Sequence, residues 1–475
     1  MFYGREEDID RLGALWMKPT ASLVTCRGRR RIGKSTLIEE FARRSDAHFL
    51  VINGLAPREK MTNKVQLDNF AQELSRQTAV PNIAVPGWAD VFALVDLALG
   101  TQKGRTVLLL DEISWMGKYD PDFAGHLKNA WDARWKKHTE LIVVLCGSVS
   151  SWISDNILHS TGFVGRISLD LVVDELPLRD CLRFWRQTAE RTAWREVVDV
   201  LSVTGGVAKY LEEMKPELSA DENIRQLCFS PGGFLVEDFN NIFNDIFGKT
   251  SSSKKAVLEA LGEGARNIAE ISAAIGTDSN GHLSRMLEEL ELAGFIIADE
   301  VVNPATGGVS KEKRYRIRDN YTRFYLHFIA PRLSLIKKGR GGFKSLNQLR
   351  GWESILGLQF ENLILNNVDA LLPLVGLGDA LVTSAAPYRN NRNSRGGGCQ
   401  VDLLIQTRKS ICVVEIKRQA EIGEEVAEQV REKVKRIPVR SGVSVRTALV
   451  YDGHLAPALR EDGYFDFLIP VEKLF

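Results

Sequence analysis

Eight residues near the N-terminus constrain the fold of this chain more than any other segment. They read Gly28-Arg29-Arg30-Arg31-Ile32-Gly33-Lys34-Ser35, and they lie between an apolar run, Ala21 to Cys26, and a stretch with helical spacing, Thr36 to Ala42. A glycine-framed loop between a strand and a helix surrounds phosphate with backbone N–H groups, and the helix dipole favours the negative charge. The segment therefore predicts a Walker A loop, or P-loop, in which the residues from Gly28 to Thr36 hold a nucleotide.

A second motif supplies carboxylates. An apolar run that begins at Arg105 ends in Asp111 and Glu112, as expected where a buried parallel strand delivers acids to the edge of a sheet. Phosphoryl transfer needs charge neutralisation and a positioned water molecule. We therefore expect Lys34 to contact the β- and γ-phosphates of ATP. Ser35 and Asp111 are expected to hold Mg²⁺, and Glu112 to polarise the attacking water.

Two further residues are candidates for the same site. Ser148 follows the apolar run Leu141 to Cys146, so it is expected beside Asp111 and Glu112, the carboxylates of a predicted Walker B motif. There it either contacts the γ-phosphate or simply ends a strand. Arg166 lies in a loop with Gly162 and Gly165. It is either a solvated arginine or one that neutralises transition-state charge, within its own chain or across a homo-oligomer.

The composition limits the classes of protein to which this chain can belong. The chain has 475 residues, 44% hydrophobic and 26% charged, with a net charge of +1, which indicates three or four globular domains rather than a disordered or fibrous protein. Its six cysteines show no C-x-x-C spacing. Neither a signal peptide nor an apolar run of about 20 residues is evident, so a cytoplasmic protein without membrane segments is expected.

The middle of the chain predicts a winged helix. Three short helical patterns, within 256–261, 268–275 and 283–290, precede two strand patterns, 294–302 and 313–318. In such a domain the third helix enters the DNA major groove when DNA is bound. Here that helix carries several glutamates beside His282 and Arg285, so protein docking is the alternative to DNA recognition.

Two segments are rich in basic residues. The run 332–350 contains no acidic residue, and the loop 389–398 combines three arginines with three glycines at its end. Each is either a solvated connector or a flexible segment that contacts phosphates.

The C-terminal third predicts a metal site. Strands 400–406 and 411–417 are joined by a short loop; if the turn is centred on 408–409, Gln406 faces Ile411 and Asp402 faces Glu415. Two facing carboxylates require a cation or a shared proton, and Lys417 points to the same side as Glu415. With Glu361 as a third carboxylate from an upstream helix, these side chains are of the kind that cleaves phosphodiesters with Mg²⁺ or Mn²⁺. The alternative is an exposed Glu-x-Lys pair at a strand edge.

Together these motifs resemble the archaeal-type ATPase family of the AAA+/STAND group of P-loop NTPases. The resemblance extends from residue 1 to about residue 215 and includes the start Phe2-Tyr3-Gly4-Arg5-Glu6. It implies that Gly4 and Arg5 approach the nucleotide, followed by a helical lid with a Gly-Gly-x-Pro segment and by a winged helix. The lid segment here is Gly205-Gly206-Val207-Ala208, in which alanine replaces the usual proline.

The C-terminal residues Glu361, Asp402, Glu415 and Lys417 resemble the PD-(D/E)XK nuclease superfamily, in the form often fused to archaeal-type ATPases. The fold class expected is α/β, with a P-loop parallel sheet, a helical lid, a winged helix and a restriction-endonuclease-like α/β domain. The expected bounds are 1–175 for the ATPase core, 176–250 for the lid, 251–320 for the winged helix, 321–350 for a basic connector and 351–475 for the nuclease-like domain.

The sequence thus predicts an ATPase, with ATP and Mg²⁺, whose nucleotide state regulates a metal-dependent nuclease-like domain acting on nucleic acid, with DNA favoured. The alternative is a signalling or regulatory NTPase whose C-terminal domain binds DNA or a protein without cleavage. Asp402 separates the two hypotheses, because its loss abolishes metal binding only in the first.

Overall fold

The computed structural model describes residues 2–148, 150–279, 281–341, 345–390 and 398–475. It divides into two compact units, Met1–Glu175 and Leu176–Phe475. Most of the basic loop 389–398, and residues 342–344 of the basic connector, lie outside the described residues.

The first unit is built on a parallel sheet. Its strands in the described chain are β1 (Ser22–Arg27), β2 (His48–Asn53), β3 (Thr106–Asp111), β4 (Leu141–Gly147) and β5 (Ile167–Val172). Their order is β2-β3-β4-β1-β5, and every pair of neighbours is parallel. β1, β3 and β4 are buried along almost their whole length, which explains why they read as uninterrupted apolar runs. This sheet confirms the prediction of an α/β fold of the P-loop kind.

Helices cover the sheet of the first unit, and an aromatic cluster fills part of its core. The rings of Trp88 and Phe123 meet edge to face with 4.6 Å between centroids, and Phe92 packs against both. The helices run over Glu6–Gly13, Lys34–Arg44, Asn63–Gln77, Trp88–Thr101, Ile113–Met116, Phe123–Ala133 and Ser150–Ile153.

The second unit begins with helices. They occupy the segment expected to form the lid and run over Leu178–Cys181, Trp194–Thr204, Ala208–Glu212, Ala220–Cys228 and Phe234–Phe247. A role as a lid stays a prediction.

Three helices and a small antiparallel sheet come next. The helices are Ser251–Ala260, Ile268–Ile275 and Gly281–Leu292, and the strands are β6 (Arg266–Asn267), β7 (Ile296–Val302) and β8 (Val309–Ile317), in the order β6-β8-β7. Asn267 starts the middle helix with a capping box that includes Glu270. The elements follow in the order that the sequence predicted, and the identification as a winged helix stays a prediction.

The C-terminal part contains a mixed sheet. Its strands are β9 (Val382–Asn390), β10 (Cys399–Thr407), β11 (Ser410–Ile422), β12 (Ser444–Leu455) and β13 (Phe467–Pro470), in the order β13-β12-β11-β10-β9. β9, β10 and β11 are antiparallel, whereas β11, β12 and β13 are parallel. The remaining helices of the unit are Asn320–Phe324, Leu333–Lys337, Trp352–Leu365, Val368–Leu371, Glu425–Arg436 and Pro457–Glu461.

Among the residues described, no helix combines the length and the apolar character needed to cross a bilayer.

Candidate functional sites

The P-loop adopts backbone conformations that its glycines permit. Gly28 has φ of 148° and Gly33 has φ of 95°, both in the region that side chains disfavour. The helix Lys34–Arg44 begins directly after Gly33, so its free N–H groups face the loop. Of the three arginines in the loop, Arg29 is buried, and Arg30 lies over the ring of Trp115 at 5.3 Å. Arg31 and Thr36 are both exposed.

Gly28 also has no room for a side chain. A Cβ atom at this position would lie 2.2 Å from the carbonyl oxygen of Val173. We expect Gly28→Ala to lower the free energy of unfolding of the first unit by about 2 kcal/mol or more, since the residue is both strained and overpacked. Chemical denaturation would measure this, with Gly100→Ala as control because a Cβ atom at Gly100 would meet no other segment of the described chain within 4 Å. Equal stability of the two variants would contradict the packing argument.

Lys34 and Ser35, at the start of the helix after the loop, contact different partners. Lys34 Nζ donates to the carbonyl oxygens of Gly28 and Arg29 at 2.9 and 3.0 Å. Ser35 Oγ donates to Asp111 Oδ2 at 2.5 Å. The structure therefore brings the hydroxyl and the carboxylate of the two Walker motifs together, and both are hard oxygen donors of the kind that Mg²⁺ prefers.

Glu112 is held by Ser148. The hydroxyl of Ser148 lies 2.9 and 2.8 Å from the two carboxylate oxygens of Glu112, and its backbone N–H donates to Oε2 at 3.3 Å. Glu112 itself has a left-handed backbone, with φ of 51°. The strand end at Ser148 thus meets the Walker B acid, as the parallel order of β3 and β4 requires.

Arg5 reaches the P-loop from the N-terminal segment. Its guanidinium donates to the carbonyl oxygen of Ile32 at 3.3 Å and also to that of Asp174. Gly4 and Arg5 both have positive φ, which turns the chain into the helix Glu6–Gly13. These two residues therefore lie beside the loop, where the resemblance expected them.

The family model of an ATPase domain predominantly from Archaea matches residues 2–214. These residues form an archaeal-type ATPase domain. The match covers both Walker motifs, Arg5, Ser148 and Arg166, and it extends beyond the parallel sheet to the helices Trp194–Thr204 and Ala208–Glu212.

Several known proteins resemble larger parts of the chain. An uncharacterized protein of Methanocaldococcus jannaschii is 25% identical over 366 residues, which are 76% of each chain. Among solved structures, a Walker-type ATPase of Pyrococcus abyssi has a TM-score of 0.49 at 17% identity and covers 68% of this chain and 96% of its own. The ORC2 protein of Aeropyrum pernix has a TM-score of 0.44 at 13% identity, with 70% and 94% covered.

Within the ATPase domain, Arg166 contacts an aspartate. Its Nε and Nη2 donate to the two carboxylate oxygens of Asp132 at 2.9 and 2.8 Å. This bidentate pair lowers the pKa of Asp132 to about 2, because the carboxylate accepts from Arg166 and also from Lys128. A role of Arg166 in hydrolysis stays a prediction.

In the second unit, the hairpin register is the one that the sequence predicted. β10 and β11 pair from Gln406 opposite Ile411 to Leu403 opposite Val414, so the next positions are Asp402 and Glu415. Asp402 Oδ2 accepts from the backbone N–H of Ile416 at 2.9 Å. Glu415 is fully buried, and Lys417 and Lys433 lie 2.8 and 2.6 Å from its two oxygens.

Two of the three predicted carboxylates have raised pKa values. Burial raises the pKa of Asp402 to about 6 and that of Glu361 to about 7, and in each case a neighbouring carboxylate adds to the increase. Glu415 acts on Asp402, and both act on Glu361. Across the described ranges, however, the geometry does not assemble three or more His, Cys, Asp or Glu side chains into a group that could hold a metal ion.

Several residues of this region carried no signal in the sequence. Lys433 comes from the helix Glu425–Arg436 and binds Glu415, and Gln359 lies on the same helix as Glu361. Gln359 donates to the carbonyl oxygen of Ser202 at 2.8 Å and accepts from Arg323 Nη1 at 2.8 Å. Helical spacing marks these residues only as polar positions, since their partners are distant in sequence.

Arg418, next to Lys417, joins the C-terminal sheet to a helix of the ATPase domain. Its side chain is 2% exposed, contacts Asp199 of the helix Trp194–Thr204, and donates from Nε to Asp452 at 3.2 Å. Arg195 of the same helix also binds Asp452, at 3.1 Å. A buried ion-pair network therefore fixes this helix to β11 and β12.

Asp199 makes stability depend on pH. Burial raises its pKa to about 6, against the opposing charges of Arg418 and Arg195. The folded protein binds the proton of the Asp199 carboxyl more tightly than the unfolded chain does. Its contribution to the free energy of unfolding is therefore fully present at low pH and is lost as the pH rises through about 6. The difference in unfolding free energy between wild type and Asp199→Asn should fall by about 1 kcal/mol from pH 5 to pH 7. Denaturant titrations at several pH values measure it, and a constant difference would refute the assignment.

Proposed function

We propose that this protein hydrolyses ATP with Mg²⁺ and that its nucleotide state regulates a metal-dependent nuclease-like site acting on nucleic acid, with DNA favoured. The hydrogen bond between Ser35 and Asp111 at the P-loop carries the first part of the proposal. The juxtaposition of Asp402 and Glu415 next to Lys417 carries the second.

For ATP hydrolysis, each residue has one task. Lys34 leaves the carbonyl oxygens of the loop and binds the β- and γ-phosphates, while the N–H groups after Gly33 surround them. Ser35 and Asp111 hold Mg²⁺, which neutralises phosphate charge when bound. Glu112 orients the attacking water and accepts its proton, and Ser148 fixes the carboxylate for that task.

For strand cleavage, Asp402, Glu415 and Glu361 are proposed to hold a divalent metal, Mg²⁺ or Mn²⁺. Two observations support this: Asp402 and Glu415 directly follow the paired residues Leu403 and Val414 of the hairpin, and the charges of both help to raise the pKa of Glu361. A bound cation would relieve the repulsion between these carboxylates. When bound, the metal polarises a phosphoryl oxygen and lowers the pKa of water. Lys417 is proposed to position or deprotonate that water.

Regulation is proposed to run through the helix Trp194–Thr204. This helix belongs to the ATPase domain, and it binds the C-terminal part through Asp199 and the carbonyl oxygen of Ser202. Gln359 and Arg418, its partners, lie close in sequence to Glu361 and Lys417. A displacement of the helix during the ATP cycle would therefore move two of the proposed catalytic groups.

The second candidate is a regulatory ATPase whose C-terminal domain binds DNA or a protein without cleavage. One observation favours it. Both oxygens of Glu415 already lie within 2.8 Å of a lysine nitrogen, so this carboxylate is neutralised without a metal.

A cleavage assay separates the candidates. Linear and circular DNA would be incubated with the full chain and Mg²⁺ or Mn²⁺, with and without ATP, for wild type, Asp402→Ala and Lys34→Ala. The proposal expects cleavage that Asp402→Ala loses and Lys34→Ala alters. If ATP is hydrolysed but DNA is not cleaved with any metal or substrate, the nuclease hypothesis is refuted and the regulatory ATPase is supported.

A further inference from the structure

A polar cavity lies inside the second compact unit, beside the proposed nuclease-like site. It encloses about 480 Å³, within the range of about 300–1,000 Å³ that is usual for pockets of small ligands. Its walls come from β7 and β8, from the helix Trp352–Leu365, and from the start of β10 and the end of β9. Most of its side chains take no part in the nucleotide and metal sites proposed above.

Two buried arginines form part of the cavity wall. Arg316 and Arg323 are 6% and 4% exposed. Arg316 is satisfied by Asp299 at 3.0 Å and by Asn366 at 3.1 Å. Arg323 donates to Gln359, but its buried Nε–H makes no hydrogen bond within the described part of the chain. A buried donor of this kind is costly unless an acceptor reaches it, and an anion bound in the cavity that Arg323 lines would supply an acceptor.

The remaining charges of the cavity also favour an anion. Arg314 pairs with Glu270 at 2.8 Å, as Arg316 pairs with Asp299. For the other three arginines that line the cavity, the described residues form no ion pair within 4.0 Å; these are Arg266, Arg323 and Arg389. Two further carboxylates, Glu263 and Glu361, line the same cavity. The arginines therefore outnumber the carboxylates, and guanidinium groups match the oxygens of phosphate.

An apolar wall completes the site. Leu358, Leu365, Pro387 and the largely buried Tyr388 line the cavity beside the arginines. A surface of this kind accepts a sugar or a stacked base, whereas inorganic phosphate would leave it uncovered.

The cavity adjoins the proposed nuclease-like site. Gln400 lines it, and Gln400 also lines the cleft that contains Asp402, Glu415 and Lys417. Glu361 lines the cavity, and the charge of Asp402 is near enough to raise the pKa of Glu361. The cavity and the cleft therefore lie side by side at Gln400.

We propose that this cavity binds the phosphorylated end of a nucleic-acid strand whose backbone lies across the carboxylates of the neighbouring cleft. The proposal rests on the function proposed above. A terminal phosphate carries nearly two negative charges, and the strand continues from it on one side only. An internal phosphodiester carries one charge, and the strand must both enter and leave its binding site. The buried arginines match the greater charge of a terminal phosphate.

The test measures binding in EDTA, so that no cleavage occurs, with Lys34→Ala present in every sample to remove nucleotide binding at the P-loop. One fluorescent oligonucleotide is compared in three forms, with a 5′-phosphate, with a 3′-phosphate and without a terminal phosphate. We expect one phosphorylated form to bind about 10-fold more tightly than the unphosphorylated form, as for a charge-assisted hydrogen-bond site. Arg266→Gln and Arg323→Lys should abolish this preference. Arg460→Gln, an exposed arginine outside the cavity, should retain it.

If the protein that carries only Lys34→Ala binds all three forms of the oligonucleotide equally, the proposal is overturned. Adenosine monophosphate that competes as tightly as the phosphorylated strand would also overturn it, since the ligand would then be a free mononucleotide. Cleavage by the wild-type chain with Mn²⁺ is measured separately. Cleavage without an end preference removes only this inference, whereas an end preference without cleavage removes only the nuclease function.

Discussion

Glu112→Gln is expected to lower the rate of ATP turnover by about 10²–10³-fold and to change the affinity for ATP by no more than about twofold. The carboxylate accepts the hydroxyl of Ser148 in the structure, and glutamine can accept the same hydrogen bond. It cannot accept the proton of the attacking water. Binding should persist because the loop N–H groups, Lys34 and Ser35 are unchanged.

Steady-state phosphate release measures the rate of ATP turnover, and binding of a fluorescent ATP analogue measures the affinity. Glu39→Gln is the matched control, since Glu39 is exposed on the helix that follows the P-loop. Lys34→Ala should instead lose binding together with turnover. If Glu112→Gln hydrolyses ATP at the rate of the control, the Walker B assignment of Glu112 is wrong.

Asp402→Asn is expected to weaken Mn²⁺ binding at the C-terminal site at least about 10-fold and to raise the thermal stability of the metal-free protein. Both effects have one cause. Asp402 and the fully buried Glu415 directly follow the paired residues Leu403 and Val414, and the charge of Glu415 helps to raise the pKa of Asp402. In the proposed site the two carboxylates repel each other in the absence of a cation and bind it jointly when it is present. Asparagine keeps an oxygen for the N–H of Ile416 and removes the charge.

Thermal unfolding with and without Mn²⁺ measures both the stability of the metal-free protein and its stabilisation by the bound metal. Asp379→Asn serves as control because Asp379 is exposed and remote from the hairpin in sequence. ATP turnover should be unaffected in either variant. A stabilisation by Mn²⁺ that is the same in Asp402→Asn and in the control would refute the metal site.

Local patterns predicted the P-loop and the hairpin well, for physical reasons. The order strand, glycine loop and helix leaves few conformations for Gly28 and Gly33, and the parallel sheet brings Asp111, at the end of β3, to Ser35. In the hairpin, a two-residue turn fixes the register, so counting along the strands placed Asp402 opposite Glu415. In the first case two sequence motifs indicate the contact, and in the second a short turn between adjacent strands does.

Contacts between distant elements could not be predicted in this way. The partner of Arg166, Asp132, and the partner of Glu415, Lys433, each come from a helix whose polar positions resemble many others. The same applies to Arg323, whose burial depends on Gln359 and on the walls of the cavity. A sequence pattern indicates that such residues are polar, but tertiary packing decides what they meet.

The helix Trp194–Thr204 limits how this protein can be divided. The family match ends at residue 214, yet the helix packs in the second compact unit, where Arg418 depends on Asp199 for its buried charge. A fragment that begins after residue 214 would leave that guanidinium without one of its two aspartates. The ATPase and the C-terminal part are thus not interchangeable modules, and an exchange between related proteins would have to carry this helix along with the C-terminal sheet.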